Sequence, residues 1–248
     1  MLLEKRHQEI VKLVEVNKSV TLQELMDIFK TSESTIRRDI LTLHQQGQLI
    51  KVFGGAVALG EKFKTTDEAV AEREIVNKQI KLKIAKYAAS MIKKDDFVYL
   101  DAGTTTGYMI DYINQKEAIF VTNGAMHARR LSDRGFKVLI IGGEFKGSTE
   151  AVVGGEALYN LEKYNFTIGF FGTNGVNRKK GYTTPDLNEA LTKKKAMEKT
   201  DKRYILCDSS KFGDVSLVAF ADFNSAVILT DYIPKDSFED SDNIISIR

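Results

Sequence analysis

Residues 21–56 read TLQELMDIFKTSESTIRRDILTLHQQGQLIKVFGGA, and this stretch decides the fold of the amino-terminal part of the chain. Thr21 opens a Thr-x-x-Glu capping box, which predicts a helix over residues 22–29. After a short polar turn, Ser32 is expected to cap a second helix over residues 33–46, which ends at the following glycine. Two short helices joined by a tight turn form a helix-turn-helix.

The second predicted helix carries hydrogen-bond donors on one face and apolar side chains on the other. Ile36, Ile40 and Leu43 recur at helical spacing and are expected to face the core. In a helix-turn-helix, the first turns of the second helix face the major groove of DNA. Here those turns carry hydroxyl and guanidinium groups, which donate to phosphates and to guanine edges. The side chains concerned are Ser34, Thr35, Arg37 and Arg38.

Residues 48–56 alternate loosely between apolar and polar side chains and end in a glycine pair, which is typical of a β-wing that approaches the DNA backbone. A helical protein-interaction domain with exposed arginines would explain a helix pair alone. The combination of capping box, short turn, paired arginines and wing favours DNA binding. The expected DNA-contacting residues are Thr21, Ser32, Ser34, Thr35, Arg37, Arg38, Lys51, Gly54 and Gly55.

The composition of the 248-residue chain is that of a soluble globular protein, with 43% hydrophobic and 28% charged residues. The net charge of +2 does not by itself indicate nucleic acid, and residues 1–57 hold eight basic against seven acidic side chains. A DNA-binding interpretation therefore depends on where the charges lie.

The cellular compartment follows from three absences in the sequence. The single cysteine, Cys207, permits no internal disulfide, which is typical of a reducing compartment. Early charged residues interrupt any signal-peptide pattern, and no apolar run approaches the roughly 20 residues of a membrane span. A cytoplasmic protein without membrane contact is expected. The three histidines have no partners at ligand spacing, so neither a metal nor another cofactor is expected.

The apolar pattern changes along the chain and predicts two domains. It is helical up to about residue 49, and residues 75–93 again resemble a helix. After residue 95, short β-rich runs alternate with stretches that can be helical, which predicts a mainly parallel sheet covered by helices. The strands are expected at 97–100, 118–121, 138–141, 166–171, 203–207 and 226–229. The predicted organisation is a winged helix-turn-helix domain over residues 1–57, a polar linker over 58–74 and an α/β domain over 75–248.

The first strand of the second domain runs into the loop Asp101-Ala102-Gly103-Thr104-Thr105-Thr106-Gly107. A strand, a small hydroxyl-rich loop and a helix start form a general anion site, because free amides and the positive end of the helix dipole point outward. The loop has no Gly-x-x-x-x-Gly-Lys pattern, so it is not a nucleotide P-loop. A capped turn without a ligand would fit this loop equally well.

Four later segments follow predicted strands and add polar groups at the same edge of the sheet, where open α/β proteins bind ligands. Hydroxyls, amides, carboxylates and a lysine suit an array of sugar hydroxyls together with a phosphate. The run Lys193-Lys194-Lys195, in contrast, is interpreted as a solvated helix face. The expected ligand-binding residues are Asp101, Gly103, Thr104, Thr105, Thr106, Thr122, Asn123, Asn174, Thr183, Asp186, Glu189 and Lys211.

Residues 34–40, read with Gly54-Gly55-Ala56, resemble the signature of the DeoR family of bacterial sugar-metabolism repressors. The later segments resemble that family's effector domain, whose fold is similar to ribose-5-phosphate isomerase. The resemblance implies that residues 103–106 and Lys211 hold a phosphate. It also implies that the sugar is surrounded by Asn174, Thr183, Asp186 and Glu189.

Within that family, three motifs look most like the fructose-operon repressors, whose effector is fructose-1-phosphate. The motifs are Asp-Ala-Gly-Thr-Thr-Thr, Tyr-Thr-Thr-Pro-Asp, and Ile-Gly-Gly with Lys146-Gly147-Ser148-Thr149. The resemblance thus implies a homodimer or homotetramer that binds double-stranded operator DNA. Effector binding is expected either to increase or to decrease the affinity of this oligomer for DNA.

An enzymatic alternative is a sugar-phosphate isomerase with an appended helical domain, since carboxylates and a lysine meet at one edge. The isomerases that the chain resembles carry paired aspartates where this sequence reads Gly172-Thr173-Asn174-Gly175. An amide cannot serve as the base, so a sensor is favoured, although Glu189 is present. A pure interaction protein would leave the aligned polar loops unexplained.

Overall fold

The chain divides into two compact units, Met1–Thr65 and Thr66–Arg248. The computed structural model describes residues 3–17, 19–52, 54–58, 70–234 and 238–247. The division falls within the predicted linker 58–74, of which residues 59–69 lie outside the described part of the chain. The described end of that linker is helical. Its sequence is rich in helix-favouring residues but too short to show an apolar period.

The amino-terminal unit is a helix-turn-helix followed by a β-hairpin. Its helices are α1 Leu3–Asn17, α2 Leu22–Phe29 and α3 Glu33–Gln45. Its strands are β1 Ser19–Thr21, β2 Ile50–Val52 and β3 Gly55–Val57, which pair antiparallel in the order β1-β3-β2. Apolar side chains from all of these helices form one core, which includes Ile10, Val14, Leu25, Ile36, Ile40, Leu43 and Leu49.

The carboxy-terminal unit alternates strands and helices. Its helices are α4 Val70–Ile75, α5 Lys78–Ser90, α6 Thr104–Met109, α7 Ala125–Asp133, α8 Gly155–Leu161 and α9 Leu187–Glu198. Its strands are β4 Phe97–Leu100, β5 Ile119–Thr122, β6 Lys137–Ile140, β7 Glu144–Lys146, β8 Ala151–Val153, β9 Phe166–Gly172, β10 Gly175–Asn177, β11 Gly181–Thr184, β12 Thr200–Leu206, β13 Val218–Ala221, β14 Val227–Thr230 and β15 Ile244–Ser246.

A seven-stranded parallel sheet in the order β15-β14-β12-β9-β4-β5-β6 is the centre of this unit. Val98 and Leu100 pack in one core with residues of α5, whereas Tyr99 packs in a second core on the other face. Both faces of β4 are therefore buried, as its unbroken apolar run predicts. Two smaller antiparallel sheets, β10-β11-β13 and β7-β8, complete the strand topology.

The position of β4 in the sheet determines where polar loops meet. It lies between β9 and β5, so the loop that follows it is flanked by the loops after both neighbours. After β4, the chain continues into β5 on one side of β4, and it forms β9 on the other side of β4 only later. The loops after β4 and β9 thus diverge, which is the topological switch point where α/β sheets bind ligands.

The predicted fold class, a winged helix-turn-helix followed by an α/β domain with a parallel sheet, is confirmed. Each of the six predicted strands is present, shifted by at most three residues at either end. The helix predicted over 75–93 is α5, which begins only after Asn77, a residue in the left-handed conformation with φ of 55°. The prediction missed β1, β7, β8, β10, β11, β13 and the edge strand β15, because strands of three or four residues show no clear alternation.

Candidate functional site

The capping box predicted at the start of α2 is confirmed. Thr21 Oγ1 accepts from the backbone N–H of Glu24 at 3.1 Å, and Glu24 Oε2 accepts from the backbone N–H of Thr21 at 2.7 Å. Lys30, in the left-handed region with φ of 47°, ends α2. This sharp end turns the chain directly into α3, so the two helices pack against each other in the manner of a helix-turn-helix.

The inner face of α3 is apolar except for one buried carboxylate. Ile36 and Ile40 are fully buried, as predicted. Asp39 is also buried, and it accepts from Arg6 Nε at 2.6 Å and lies 3.1 Å from His7 Nε2. Burial acts to raise the pKa of Asp39, but the bonds from Arg6 and His7 outweigh it and lower that pKa. The Asp39 carboxylate thereby fixes α3 against α1, a role that the sequence analysis missed.

The outer face of α3 presents the predicted donors. Ser34, Arg37 and Arg38 are exposed. Arg37 pairs with Glu33 one turn earlier, with 2.7 Å between Arg37 Nε and Glu33 Oε1. Ser32 occupies the N-cap position of α3, as predicted, but its side chain makes no cap bond to the helix backbone. Its hydroxyl instead lies 3.0 Å from the hydroxyl oxygens of both Ser34 and Thr35, and this hydroxyl cluster stands at the amino-terminal end of α3.

The two glycines of the wing have different roles. Gly54 has φ of +83°, which favours glycine at the end of the hairpin. At Gly55, a Cβ atom would lie 2.0 Å from the carbonyl oxygen of Val20, so β3 can approach β1 only without a side chain there. Lys51 is exposed on β2. A basic residue is thus placed on the hairpin next to α3.

Asp101 lies at the carboxyl end of β4 and is fully buried. Its Oδ2 accepts from the Gly172 N–H at 2.9 Å and from Lys193 Nζ of α9. Burial raises the pKa of Asp101, and the Lys193 ammonium acts against that rise. The interpretation of Lys193 as part of a solvated face is therefore wrong. Lys193 is 5% exposed, because α9 packs its inner side over the loops after β4 and β9.

The hydroxyl-rich loop after β4 is held by its own side chains. Thr106 Oγ1 donates to the carbonyl of Asp101 at 2.6 Å, and Thr105 is buried beside it. Thr104 is half-buried at the start of α6. Asn123 Oδ1 accepts from the backbone N–H of Ala102 at 2.7 Å, which ties the loop after β5 to this loop. The predicted residues of these two loops are therefore brought together.

A second polar cluster surrounds Glu189 on α9. Its Oε1 accepts from Thr149 Oγ1 at 2.5 Å and lies 3.1 Å from Lys146 Nζ. Its Oε2 lies 3.4 Å from Thr184 Oγ1, whose single hydrogen can be donated either to Glu189 or to Asn174. Asp186 caps α9 by accepting from the backbone N–H of Glu189 at 2.8 Å, and it also pairs with Lys146. These side chains satisfy one another within the protein.

The other predicted residues lie on several different elements. Asn174 Oδ1 lies 3.2 Å from Thr184 Oγ1, and Thr183 Oγ1 accepts from the Ser216 N–H at 2.9 Å. Thr122 Oγ1 accepts from a backbone N–H two residues later. Lys211 is half-buried in a short 3-10 helix after β12, two strands away from β4.

A cavity of about 260 Å³ lies beside the loop after β4. Gly103 and Thr104 line it, as do His127 and Arg130 of α7, which the sequence analysis did not assign to the site. Burial, with the Arg130 charge second, lowers the pKa of His127 to about 4, so the imidazole is neutral. The spacing His-x-x-Arg on the helix after Thr122-Asn123-Gly124 was the available signal, because residues three apart share a helix face.

Comparison with known proteins places both units in one family. A model of the DeoR-like helix-turn-helix domain matches residues 6–62, and a model of the DeoR C terminal sensor domain matches residues 76–232. The chain belongs to the DeoR family. It is accordingly a DNA-binding transcriptional regulator with a sensor domain for a small molecule.

Relatives of this DeoR-family regulator align along nearly its whole length. The "uncharacterized HTH-type transcriptional regulator FruR" of Bacillus subtilis (strain 168) is 43% identical over 231 residues, which cover 93% of this chain and 91% of that protein. The "lactose phosphotransferase system repressor" of Staphylococcus aureus (strain NCTC 8325 / PS 47) is 32% identical and covers 94% of both chains. Both relatives are named as regulators of transcription.

Solved structures resemble the DeoR-family regulator more distantly. Ribose 5-phosphate isomerase A from Methanocaldococcus jannaschii gives a TM-score of 0.40 with 16% identity over 55% of each chain. The full-length sorbitol operon regulator SorC from Klebsiella pneumoniae gives a TM-score of 0.36 with 7% identity, covering 84% of this chain and 89% of SorC.

Within the described residues, no helix has the length and apolar character needed to cross a bilayer.

Proposed function

We propose that this DeoR-family regulator represses a sugar-utilisation operon in the cytoplasm and that a phosphorylated sugar controls its operator binding. One observation carries the proposal. The loop of residues 103–106 and Lys211 lie at the same carboxyl edge of one parallel sheet, where α/β proteins bind ligands. Fructose-1-phosphate is the first candidate, because the FruR relative is 43% identical and the sequence motifs look most like that subfamily.

In this proposal, α3 enters the major groove of the operator. Ser34, Thr35, Arg37 and Arg38 reach base edges and phosphates, while Lys51 and the wing glycines approach the backbone. Two copies in a homodimer or homotetramer would present their α3 helices to half-sites about 34–36 Å apart. The exposure of the two arginines supports this assignment.

At the other unit, amides and hydroxyls of residues 103–106 and the Lys211 ammonium hold the phosphate. The proposed sugar environment comprises Asp101, Thr122, Asn123, Asn174, Thr183, Asp186 and Glu189. An effector that binds one arrangement of the oligomer more tightly shifts the population toward it, and thereby changes operator affinity. A charge-assisted bond to the phosphate contributes roughly 1.5–3 kcal/mol.

The isomerase alternative is disfavoured by the surroundings of Glu189. Its carboxylate is engaged by Lys146, Thr149 and Thr184, and the neighbouring position holds the amide of Asn174. A general base must be within reach of the proton it removes. A carboxylate already bound to Lys146 and Thr149 is poorly suited to removing a proton from a substrate carbon.

The decisive experiment measures operator binding by fluorescence anisotropy as fructose-1-phosphate is titrated into wild type and Lys211→Ala. Wild type should respond, and the variant should need roughly tenfold to a hundredfold more effector. Operator affinity without effector should be equal in both proteins. The exposed Lys194→Ala serves as a lysine control. An identical response in wild type and Lys211→Ala would contradict the assignment of Lys211 to the phosphate.

A further inference from the structure

The cavity beside the loop after β4 has the size and wall chemistry of a small-ligand site. Its volume of about 260 Å³ is close to the lower end of the range of roughly 300–1,000 Å³ that such sites span. Gly103 and Thr104 form one wall, α7 contributes His127 and Arg130, and α4 contributes Glu74. A ligand here would meet hydroxyl, imidazole, guanidinium and carboxylate groups within one enclosure.

The cavity differs from the cluster around Glu189 in how its polar groups are bonded. In that cluster, Glu189 is bonded to Lys146 and Thr149, so a sugar would have to replace existing bonds. In the cavity, His127 Nδ1 is buried and has no hydrogen-bond partner among the described residues. A buried polar atom without a partner costs stability, and a ligand that supplies the partner regains it.

Arg130 adds a charged contact whose position is already fixed. Its Nη2 donates to Asp111 at 2.8 Å, and its side chain is 35% exposed. A guanidinium has five N–H donors in one plane, so a single bond to Asp111 leaves donors directed elsewhere. Arg130 can therefore bind a hydroxyl or an anionic oxygen without first giving up its ion pair.

We propose that the sugar extends into this cavity, which shares Thr149 with the Glu189 cluster, and that His127 and Arg130 determine which sugar phosphate is bound. The inference rests on the proposed function, because the cavity begins at Gly103 and Thr104, the loop assigned to the phosphate. A phosphate on that loop directs the sugar hydroxyls towards α7. There they meet the His127 imidazole, whose Nδ1 has no partner among the described residues, and the Arg130 guanidinium.

The His127 ring packs closely against two glycines. A Cβ at Gly107 would lie 2.8 Å from His127 Nε2, and one at Gly124 would lie 2.9 Å from Nδ1. The ring therefore fills the space that side chains at these positions would occupy. A polar side chain that is fixed in this way discriminates between sugars by the position of their hydroxyls. A hydroxyl that is missing or displaced leaves the buried side chain without a partner.

The experiment measures dissociation constants of the full-length protein by calorimetry for fructose-1-phosphate, fructose-6-phosphate, glucose-6-phosphate and inorganic phosphate. Arg130→Gln and His127→Leu should each weaken the tightest sugar phosphate about tenfold or more and reduce its advantage over the others. Affinity for inorganic phosphate should change less than about twofold. Arg129→Gln is the matched control, since Arg129 is 75% exposed and pairs with Asp133.

The possible outcomes separate this inference from the proposed function. If wild type binds a sugar phosphate and Lys211→Ala weakens it, but Arg130→Gln and His127→Leu keep the wild-type ranking, the proposed role of the cavity is wrong and the proposed function stands. If wild type binds none of the sugar phosphates, both are wrong. Circular dichroism and urea denaturation verify that each variant is folded, and Arg130, whose side chain is 35% exposed, keeps the test valid if His127→Leu fails to fold.

Discussion

Arg37 and Arg38 are neighbours on α3 and differ in their local partner. Arg37 pairs with Glu33, and both of those side chains are about half exposed. Such a surface pair contributes at most about 1 kcal/mol, so DNA phosphate can displace it. Arg37→Ala and Arg38→Ala should each weaken operator binding, and each lost phosphate contact should reduce the salt slope by about one.

Anisotropy titrations at four salt concentrations measure both quantities for the arginine variants. Arg129→Gln, in the other unit, serves as the control for a lost surface charge. If both α3 variants retain the wild-type affinity and the wild-type slope, α3 is not the recognition helix.

His127 makes a prediction about pH and stability. Its pKa is lowered from 6.5 to about 4, so the unfolded chain binds more protons than the folded chain between these pH values. Stability must then rise with pH across this window, and acidification from 6.5 to 4 should cost up to about 3 kcal/mol through this group. Urea denaturation of wild type and His127→Leu, followed by circular dichroism, measures the difference. A difference that stays constant across the window would show that His127 is not buried and neutral.

The sequence contained the signal for some residue roles but not for others. Ala190, Lys193 and Met197 are buried at spacings of three and four on α9, so Lys193 continues the apolar face of that helix. The run of three lysines hid this helical period in the sequence. Asp101, the buried partner of Lys193, lies 92 residues earlier in the chain. Asp101 was predicted as a ligand contact from its loop alone. Long-range pairing of this kind is set by the packing of α9 and has no local pattern.

At the scale of elements, α4 joins the cavity to the chain segment that leads to the DNA-binding unit. Val70 and Glu74 line the cavity, and the Tyr108 hydroxyl donates to the backbone carbonyl of Glu74 at 3.1 Å. Lys81 Nζ donates to the carbonyl of Arg73. A shift of α4 on effector binding would therefore change these bonds.

Tyr108→Phe removes one of the bonds that hold α4. Its net value is about 0.5–1.5 kcal/mol, so the ratio of operator affinities with and without effector should change by up to about tenfold. Effector affinity itself should change less. The measurement is the operator dissociation constant with and without saturating fructose-1-phosphate, with the exposed Tyr87→Phe as control. A wild-type ratio in Tyr108→Phe would show that this bond does not take part in coupling.

Elements differed in how well their sequence predicted them. Six of the seven strands of the central sheet were recognised because they are continuous apolar runs, whereas the edge strand β15 was not predicted. β10 and β11 carry glycines and polar residues, and β11 pairs with β13 through a bulge between Tyr182 and Thr183. The pairing of β11 with β13 depends on residues distant in the chain. The cavity could not be foreseen for the same reason, since it forms where α4, α6 and α7 meet.

At the scale of the whole molecule, coupling between the two sites must be reciprocal. If the effector lowers operator affinity by a given factor, saturating operator DNA lowers effector affinity by the same factor. Calorimetric titration of fructose-1-phosphate into free protein and into the operator complex tests this equality. Wild type should obey it, and Lys211→Ala should show a coupling factor no larger than that of wild type. A clear change in operator affinity without the reciprocal change would mean that the sugar phosphate acts at a site other than the sensor.

The central position of β4 also has a consequence for biosynthesis. On the ribosome, β4 emerges before its neighbour β9, whose last residue is Gly172, and before Lys193, which pairs with Asp101. At roughly 5–20 residues per second, this interval lasts on the order of ten seconds. The amino-terminal unit, in contrast, makes its core contacts within the first 65 residues. In each newly made molecule, we expect the DNA-binding unit to fold before the sensor unit.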